Sequence, residues 1–300
     1  MKSILIAGGT GFVGKHLISF LAGRGYTLHV LTRKPIVDTP ANTHFFRWDI
    51  DKKYIDRKAF EGVDTIINLT GENIAGKRWT RQRKKEIVES RVKPIGLLHQ
   101  YVAENGFRIA TFISSSAVGF YGTTTTNEIF DETSEEGDGF LPAVCRDWEA
   151  SAQRFSDSGV RTVILRKGII TGKDGGMVKK ISPMAKIGIN VSLGSGKQFM
   201  PWIDIRDLVK IYEFIRSNPQ MEGVYNAVAG QHITMNEFSK SLLQSFGRRS
   251  FLPNPPSFLI RLAFGEMSTM LLAGSRVSNE KLRKAGFQFE YDTIKKSLGS

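Results

Sequence analysis

Short runs of Ile, Val and Leu alternate with longer amphipathic stretches through the first two-thirds of the chain. The runs are Ile4–Ala7, Leu28–Leu31, His44–Trp48, Thr65–Leu69, Thr111–Ile113 and Val160–Leu165. Runs so short and so nearly continuous predict strands buried on both faces. Helical patterns fall at 12–23, 80–104 and 143–157. In the second, Val88, Val92, Ile95, Leu98 and Val102 recur at three- and four-residue steps, and Pro94 predicts a kink or break. The alternation predicts an α/β fold, a parallel sheet covered by helices on both sides.

After Arg166 the rhythm changes. A Gly- and Lys-rich stretch, Lys167–Lys197, precedes a helical pattern at 206–217, a strand at 223–228 and a helix beginning near Thr234. Gly172, Gly175 and Gly176 predict a mobile segment able to close on a ligand. Asn254-Pro255-Pro256 marks a stop. Beyond it, apolar Phe258–Ala273 reads as an amphipathic core helix, with membrane contact as the alternative.

Composition narrows the class. A chain of 300 residues with 41% hydrophobic content is neither disordered nor fibrous. The single Cys145 excludes a disulfide framework and a cysteine-based zinc site; no metal is expected. The first apolar run meets glycines at once, unlike a signal peptide, and no run reaches the roughly 18 apolar residues of a membrane span. A soluble, cytoplasmic protein is expected.

The charge is 42 − 29, or +13. Lys77–Lys93 holds eight cations against Glu86 and Glu89, at the carboxyl edge of the fourth strand, where open α/β sheets bind ligands. Arg78 and Trp79 are candidates to meet an anionic group by charge and stacking, and the later cations read as a solvated helix face. A second basic region, Arg166–Lys197, makes Arg166 and Lys197 substrate-site candidates, followed by Trp202; Asp204 reads as a helix cap. No zinc-finger spacing, aromatic RNA-binding motif or basic zipper is present, so a nucleic-acid role is not expected.

Gly8-Gly9-Thr10-Gly11-Phe12-Val13-Gly14 follows the first strand directly. Gly8 suits a tight turn, Gly11 a close approach of backbone to pyrophosphate, and Gly14 close helix–strand packing. The N-terminus of the following helix turns free N–H groups toward phosphate. At the end of the second strand, where an NAD site places an acid, stand Thr32-Arg33-Lys34, with no acid before Asp38. A guanidinium there pairs with a 2′-phosphate, which favours NADP. Asp49 is a candidate acceptor for the adenine amino group.

This glycine pattern, Asn68-Leu69-Thr70-Gly71 and Phe112-Ile113-Ser114-Ser115-Ser116-Ala117 resemble the extended short-chain dehydrogenase/reductases. Gly71 through Trp79, Glu89-Ser90-Arg91-Val92, Cys145-Arg146-Asp147-Trp148-Glu149, Leu165-Arg166-Lys167-Gly168, Gly194-Ser195-Gly196-Lys197-Gln198, Trp202 through Leu208 and Gly265-Glu266-Met267-Ser268 are similar to its atypical, epimerase-like branch. The resemblance spans essentially the whole chain. It implies a Rossmann-type doubly wound parallel sheet as an NADP-binding domain at 1–230, with 167–203 contributing to the substrate lobe. A C-terminal substrate lobe at 231–300 would include a small domain at about 250–297. Leu69, Thr70 and Gly71 would line the cofactor, and Ser116 matches the serine that bonds the reacting oxygen in active relatives; the alternative is a strand-end hydroxyl capping backbone. A small-molecule substrate, and a monomer or homodimer, are implied.

The family's chemistry rests on a Tyr-x-x-x-Lys pair, whose lysine lowers the phenol's pKa and holds the nicotinamide ribose. The aligned positions here hold Cys145 and Glu149. Tyr54…Lys58 and Tyr291…Lys295 match literally but lie in the wrong segments. Glu149 is able to accept from a ribose hydroxyl. Cys145, with no cation nearby, reads as a buried small residue, not a nucleophile. Tyr121 is the remaining proton donor by position, or else a packed aromatic. Two functions stay open: an NADP-dependent epimerase-like oxidoreductase of a small polar or anionic substrate, or a catalytically silent NADP(H)-binding redox sensor.

Overall fold

Every residue of strand β1 (Ser3–Ala7) is buried, and its side chains divide between two hydrophobic layers. Ile4 and Ile6 enter one, Leu5 and Ala7 the other, as the two-residue period of a strand requires. The computed structural model describes residues 3–34 and 40–299. Around β1 are β2 (Leu28–Thr32), β3 (Thr43–Asp49), β4 (Tyr54–Ile55), β5 (Val63–Asn68), β6 (Thr111–Ala117), β8 (Arg161–Lys167) and β11 (Gly223–Ala227). The sheet order is β11-β8-β6-β5-β1-β2-β3-β4, parallel except for β4 at one edge. The remaining strands form two short parallel pairs, β7 (Ile129–Phe130) with β12 (Arg276–Val277) and β9 (Ile169–Thr171) with β10 (Trp202–Asp204).

Helices α1 (Phe12–Ala22) and α5 (Ile205–Ser217) cover one face, through Leu17 and Leu21 against Leu208 and Ile215. Helices α2 (Arg81–Asn105) and α3 (Phe140–Asp157) cover the other, through Ile95, Leu98, Trp148 and Phe155. The strand order reverses between β5 and β2 on either side of β1, which opens a crevice at the carboxyl edge there. The predicted Rossmann-type doubly wound sheet is thus the observed one. Helix α2 runs unbroken through Pro94, contrary to a break. Pro94 forgoes one helical hydrogen bond but is buried, packing that compensates for the loss.

The Gly- and Lys-rich stretch packs on the start of α1. It contains α4 (Gly176–Lys186), and its glycines clear space for the Phe12 ring at the start of α1. A Cβ on Gly175 would stand 2.1 Å from that ring, and one on Gly172 2.9 Å. His16 and Asp174 add a hydrogen bond across the same seam. α4 packs with α6 (Met235–Ser245) around Val178, Trp202, Phe238 and Leu242. Trp202 is fully buried there, its Nε1 donating to Gln231 O at 3.1 Å, so it is a core residue and not a substrate contact. Asp204 caps α5 by accepting from Arg206 N, as read from the sequence.

The Phe258–Ala273 segment departs from a core helix. It divides into α7 (Ser257–Phe264), a short turn at Gly265–Met267 and α8 (Ser268–Leu272). Ile260 and Met267 are buried, but Phe258, Leu259 and Leu262 are not, because nothing among the described residues packs on that side of α7. Among the described residues no helix is long and apolar enough to cross a membrane.

Since the Gly175 site is closed by an aromatic ring, Gly175→Ala should destabilise the fold by about 1–3 kcal/mol in urea unfolding, with most of the loss recovered in Gly175→Ala/Phe12→Leu.

Candidate functional site

The β1–α1 turn is shaped by backbone contact. Gly8 has φ +81, and a Cβ there would lie 2.8 Å from the Leu69 carbonyl carbon; one on Gly14 would lie 2.4 Å from Gly9 O. Gly11 differs: only Gly8 O, at 3.5 Å, borders its Cβ position, so the space before it is open. Gly11 also caps α1 with no side chain, and the first turn carries no acid, which leaves the helix's N–H groups and positive end for an anion. Beside the turn lies a cleft of about 670 Å3 lined by Gly9, Thr10, Lys15, Thr32, Arg33 and Lys34 among others. Three cations converge on it, and Lys15 was not singled out from the sequence. Val13 packs into the core, and Asp49 Oδ1 accepts from Lys52 N, capping the turn after β3 instead of lining the cleft. Asp38 lies outside the described residues.

The loop after β5 is held from below by α2. Leu69 N donates to Ala7 O, and Thr70 Oγ1 to Asn68 Oδ1. Arg83 Nη2 donates to Asn73 O at 2.7 Å, Arg91 Nη2 to Glu72 O at 3.1 Å, and Ser90 Oγ accepts from Glu72 N. Arg83 and Arg91 are each only 8% exposed, so these two correct the solvated-face reading. Burial pulls the Arg91 guanidinium down to about 10. Lys84 pairs with Glu266, and Lys85 and Lys93 with Glu89, so much of the α2 charge is internally matched. Trp79 packs edge-on to Phe140 and donates to Ile74 O, which leaves it no free face for a ligand. Arg78 is exposed, its Nη2 2.8 Å from where a Gly265 Cβ would stand.

At the carboxyl ends of β6, β8 and β11, register places Ser116, Arg166 and Asn226 side by side. Glu149 descends onto them from α3. Arg166 Nε and Nη2 grip its two oxygens at 2.9 and 2.8 Å, and Ser116 Oγ donates to Oε1 at 2.5 Å. Arg166 Nη1 donates to Tyr121 OH at 3.0 Å, and that hydroxyl donates to Asn226 Oδ1 at 2.8 Å. The guanidinium lies 3.4 Å over the Phe120 ring. Burial disfavours the Arg166 charge, but the Glu149 pair outweighs it and the pKa rises. Arg166 is therefore an interior ion-pair partner and not the substrate contact expected, and the Glu149 carboxylate is committed to it. Burial, opposed by Arg166, pushes the Tyr121 phenol up to about 12.

Cys145 sits one helical turn before Glu149, its Sγ donating to Ala117 O. Arg91 does stand close enough to favour its thiolate, contrary to the absence of a cation read from the sequence. Burial first, and then Glu149, prevail and push the thiol up to about 12. Lys167, next to Arg166, was passed over. Its Nζ donates to Ser115 Oγ at 2.8 Å, and Ser115 Oγ bonds Tyr212 OH. Burial, with repulsion from Arg91, brings the ammonium down to about 7. The only hint in the sequence was a lysine ending a buried strand. Lys197 is exposed on the Gly194–Gly196 turn. Of the literal Tyr-x-x-x-Lys matches, Tyr54 is on β4 at the opposite edge from β6, and Tyr291 stacks beneath Arg206.

A doubly wound parallel sheet, a glycine turn at its switch point and a cation-lined cleft beside that turn define a Rossmann-type fold of the extended short-chain dehydrogenase/reductase class. The chain belongs to the NAD dependent epimerase/dehydratase family, which matches residues 4–228, while residues 255–300 match a domain of unknown function, DUF1731. Epimerase family protein Mb2239 of Mycobacterium bovis is 36% identical, over 99% of this chain and 96% of its own length. Epimerase family protein SDR39U1 of mouse is 32% identical, over 98% of each. The crystal structure of human SDR39U1 (isoform 2) with NADPH superposes with a TM-score of 0.87 at 29% identity, over 99% of this chain and 98% of that one. The fold is also that of the Thermus thermophilus UDP-glucose 4-epimerase, at a TM-score of 0.76 and 20% identity, over 99% and 97%.

Glu149→Gln should cost about 3–5 kcal/mol in urea unfolding because it strands a buried guanidinium, whereas Glu149→Gln/Arg166→Met should cost much less. Lys167 is half-buried and its folded pKa lies below the unfolded value near 10.4. The unfolded chain thus binds the extra proton from about pH 7 to 10, and this lysine's contribution to stability rises with pH there. Carbon-13 NMR of methylated lysines should show one resonance titrating near pH 7 that disappears in Lys167→Met.

Proposed function

We propose that this chain binds NADP(H) along the carboxyl edge of its sheet and acts as an epimerase-like oxidoreductase on a small polar or anionic substrate. The observation that carries the reading is the cleft in which Lys15, Arg33 and Lys34 converge beside Gly9 and Thr10. Three cations and, among the described residues, no acid in its lining suit the 2′-phosphate that distinguishes NADP from NAD. The open space before Gly11 fits a pyrophosphate, and the loop latched by Arg83 and Arg91 would carry Leu69, Thr70 and Gly71 along the cofactor. NADPH in human SDR39U1 supports the assignment.

A bound nicotinamide supplies the hydride donor or acceptor. Proton handling falls to this chain's side chains, and its groups differ from a Tyr–Lys pair. Ser116 already donates its hydroxyl proton to Glu149, so it offers an incoming oxygen only its lone pairs unless that bond breaks. Tyr121 is too deeply buried to ionise at neutral pH. Lys167 stands opposite Ala117 at the end of β8 with its Nζ on Ser115 Oγ, and burial lowers the affinity of that ammonium for its proton, so we infer for it the proton-holding role. Arg78 and Lys197, both exposed, remain the candidates to attract an anionic substrate. The lone buried thiol suits a reducing compartment such as the cytoplasm.

In fluorescence titrations NADPH should bind more tightly than NADH. Arg33→Ala should weaken NADPH by about tenfold or more and leave NADH nearly unchanged. Equal binding of the two would refute the cofactor assignment. Incubating the NADPH complex with carbonyl compounds and sugar nucleotides tests the activity; tight binding with no turnover on any of them would favour the redox sensor.

A further inference from the structure

Cations without an acidic partner also cluster outside the dinucleotide cleft. Residues 175–203 contain Lys179, Lys180, Lys186 and Lys197, residues 238–265 contain Lys240, Arg248, Arg249 and Arg261, and neither stretch has an Asp or Glu. All eight side chains are exposed, and among the described residues none of them forms an ion pair.

The two stretches run side by side. Arg248 Nε donates to Lys186 O at 3.0 Å, Asn190 Nδ2 to Leu252 O at 3.4 Å, and Gly194 N to Pro255 O at 3.0 Å. Along this seam apolar side chains face outward: Ile187 is 72% exposed, Phe251 96% and Leu252 57%. It continues into α7, where Phe258 is 66% exposed and Leu262 75%, with Leu259 between them. At 3.6 residues per turn, positions 258, 259 and 262 occupy about 100° of the helix surface, while Ile260 points inward.

Bare Phe and Leu beside unpaired cations, with no carboxylate among them, form a surface suited to the boundary between lipid headgroups and acyl chains. A second copy of this chain would set like charge against like. A nucleic acid would leave the aliphatic side chains without a partner. We propose that this face docks on an anionic phospholipid bilayer, with α7 lying in the plane of the interface. Phe258, Leu259 and Leu262 enter the acyl boundary, and Lys186, Arg248, Arg249 and Arg261 meet the phosphates. The docking does not depend on the cofactor reading.

Co-sedimentation of the full chain with vesicles of phosphatidylcholine alone, or of phosphatidylcholine with phosphatidylglycerol, tests this. Binding is expected only to the anionic vesicles and weakens as salt is added. Arg249→Gln and Arg261→Gln should each lower the partition coefficient about fivefold. Phe258→Ser/Leu262→Ser should lower it about tenfold or more. Circular dichroism and thermal melting check that the variants fold. In addition, a polarity-sensitive fluorophore on Leu262→Cys should shift to the blue with anionic vesicles, independently of the other variants. No binding, equal binding to both vesicles, undiminished binding by the serine variant, or no spectral shift would each overturn the proposal. So would a Leu262-dependent dimer, or displacement of the vesicles by a DNA duplex, which would assign the face to a second copy or to nucleic acid.

Discussion

An arginine and a glutamate buried together at the end of a sheet oblige their neighbours to complete their hydrogen bonds. Desolvation of Arg166 and Glu149 is offset only because both oxygens of the carboxylate are gripped, Ser116 adds a donor, Tyr121 accepts the remaining guanidinium nitrogen and Phe120 covers its face. Removing any of these leaves a charge or a polar atom without its partner in a site nearly closed to water. The pair thereby joins α3 to β6 and β8, and Tyr121 carries the bond on to Asn226 of β11. The same arrangement engages the hydroxyls that a short-chain dehydrogenase/reductase site would otherwise turn toward substrate. Lys167, on the neighbouring position but bonded to Ser115, is left outside that network.

The cofactor turn is built by a different constraint, the absence of side chains. Gly8 against Leu69, Gly14 against Gly9, and Gly175 against Phe12 are contacts of less than 3 Å for any added carbon. The first two bring β1, α1 and the loop after β5 together. The third locks the stretch leading into α4 onto the first turn of α1, so α4 rests directly beside the glycine turn. Glycine in that stretch leaves room for a ring to pack on.

Charge separates into three populations. On α2, Arg83 and Arg91 are buried struts for the loop at Gly71–Asn73, and the lysines nearby pair with Glu89 or Glu266. Lys15, Arg33 and Lys34 line the cleft. The cations of residues 175–203 and 238–265 are exposed and, among the described residues, have no acidic partner. A net +13 says nothing of this division.

The sequence by itself determined the parallel sheet, its helices, the glycine turn and the basic end of β2. Each of these is encoded locally, by a period of two or 3.6 residues, by φ values that favour glycine, or by adjacency to a strand end. It also supplied the family, because whole phrases recur in order. What only the tertiary structure decided was which polar and aromatic side chains are inside. Trp79 and Trp202 look like ligand platforms in a linear reading, yet Phe140 and α6 enclose them. Arg83, Arg91 and Arg166 look like surface charge, yet backbone carbonyls and Glu149 from distant segments bury them. Phe258 and Leu262 look like core, yet among the described residues no element covers them. Burial is a property of what the rest of the chain brings alongside, and residues far apart in sequence have no local pattern that records it.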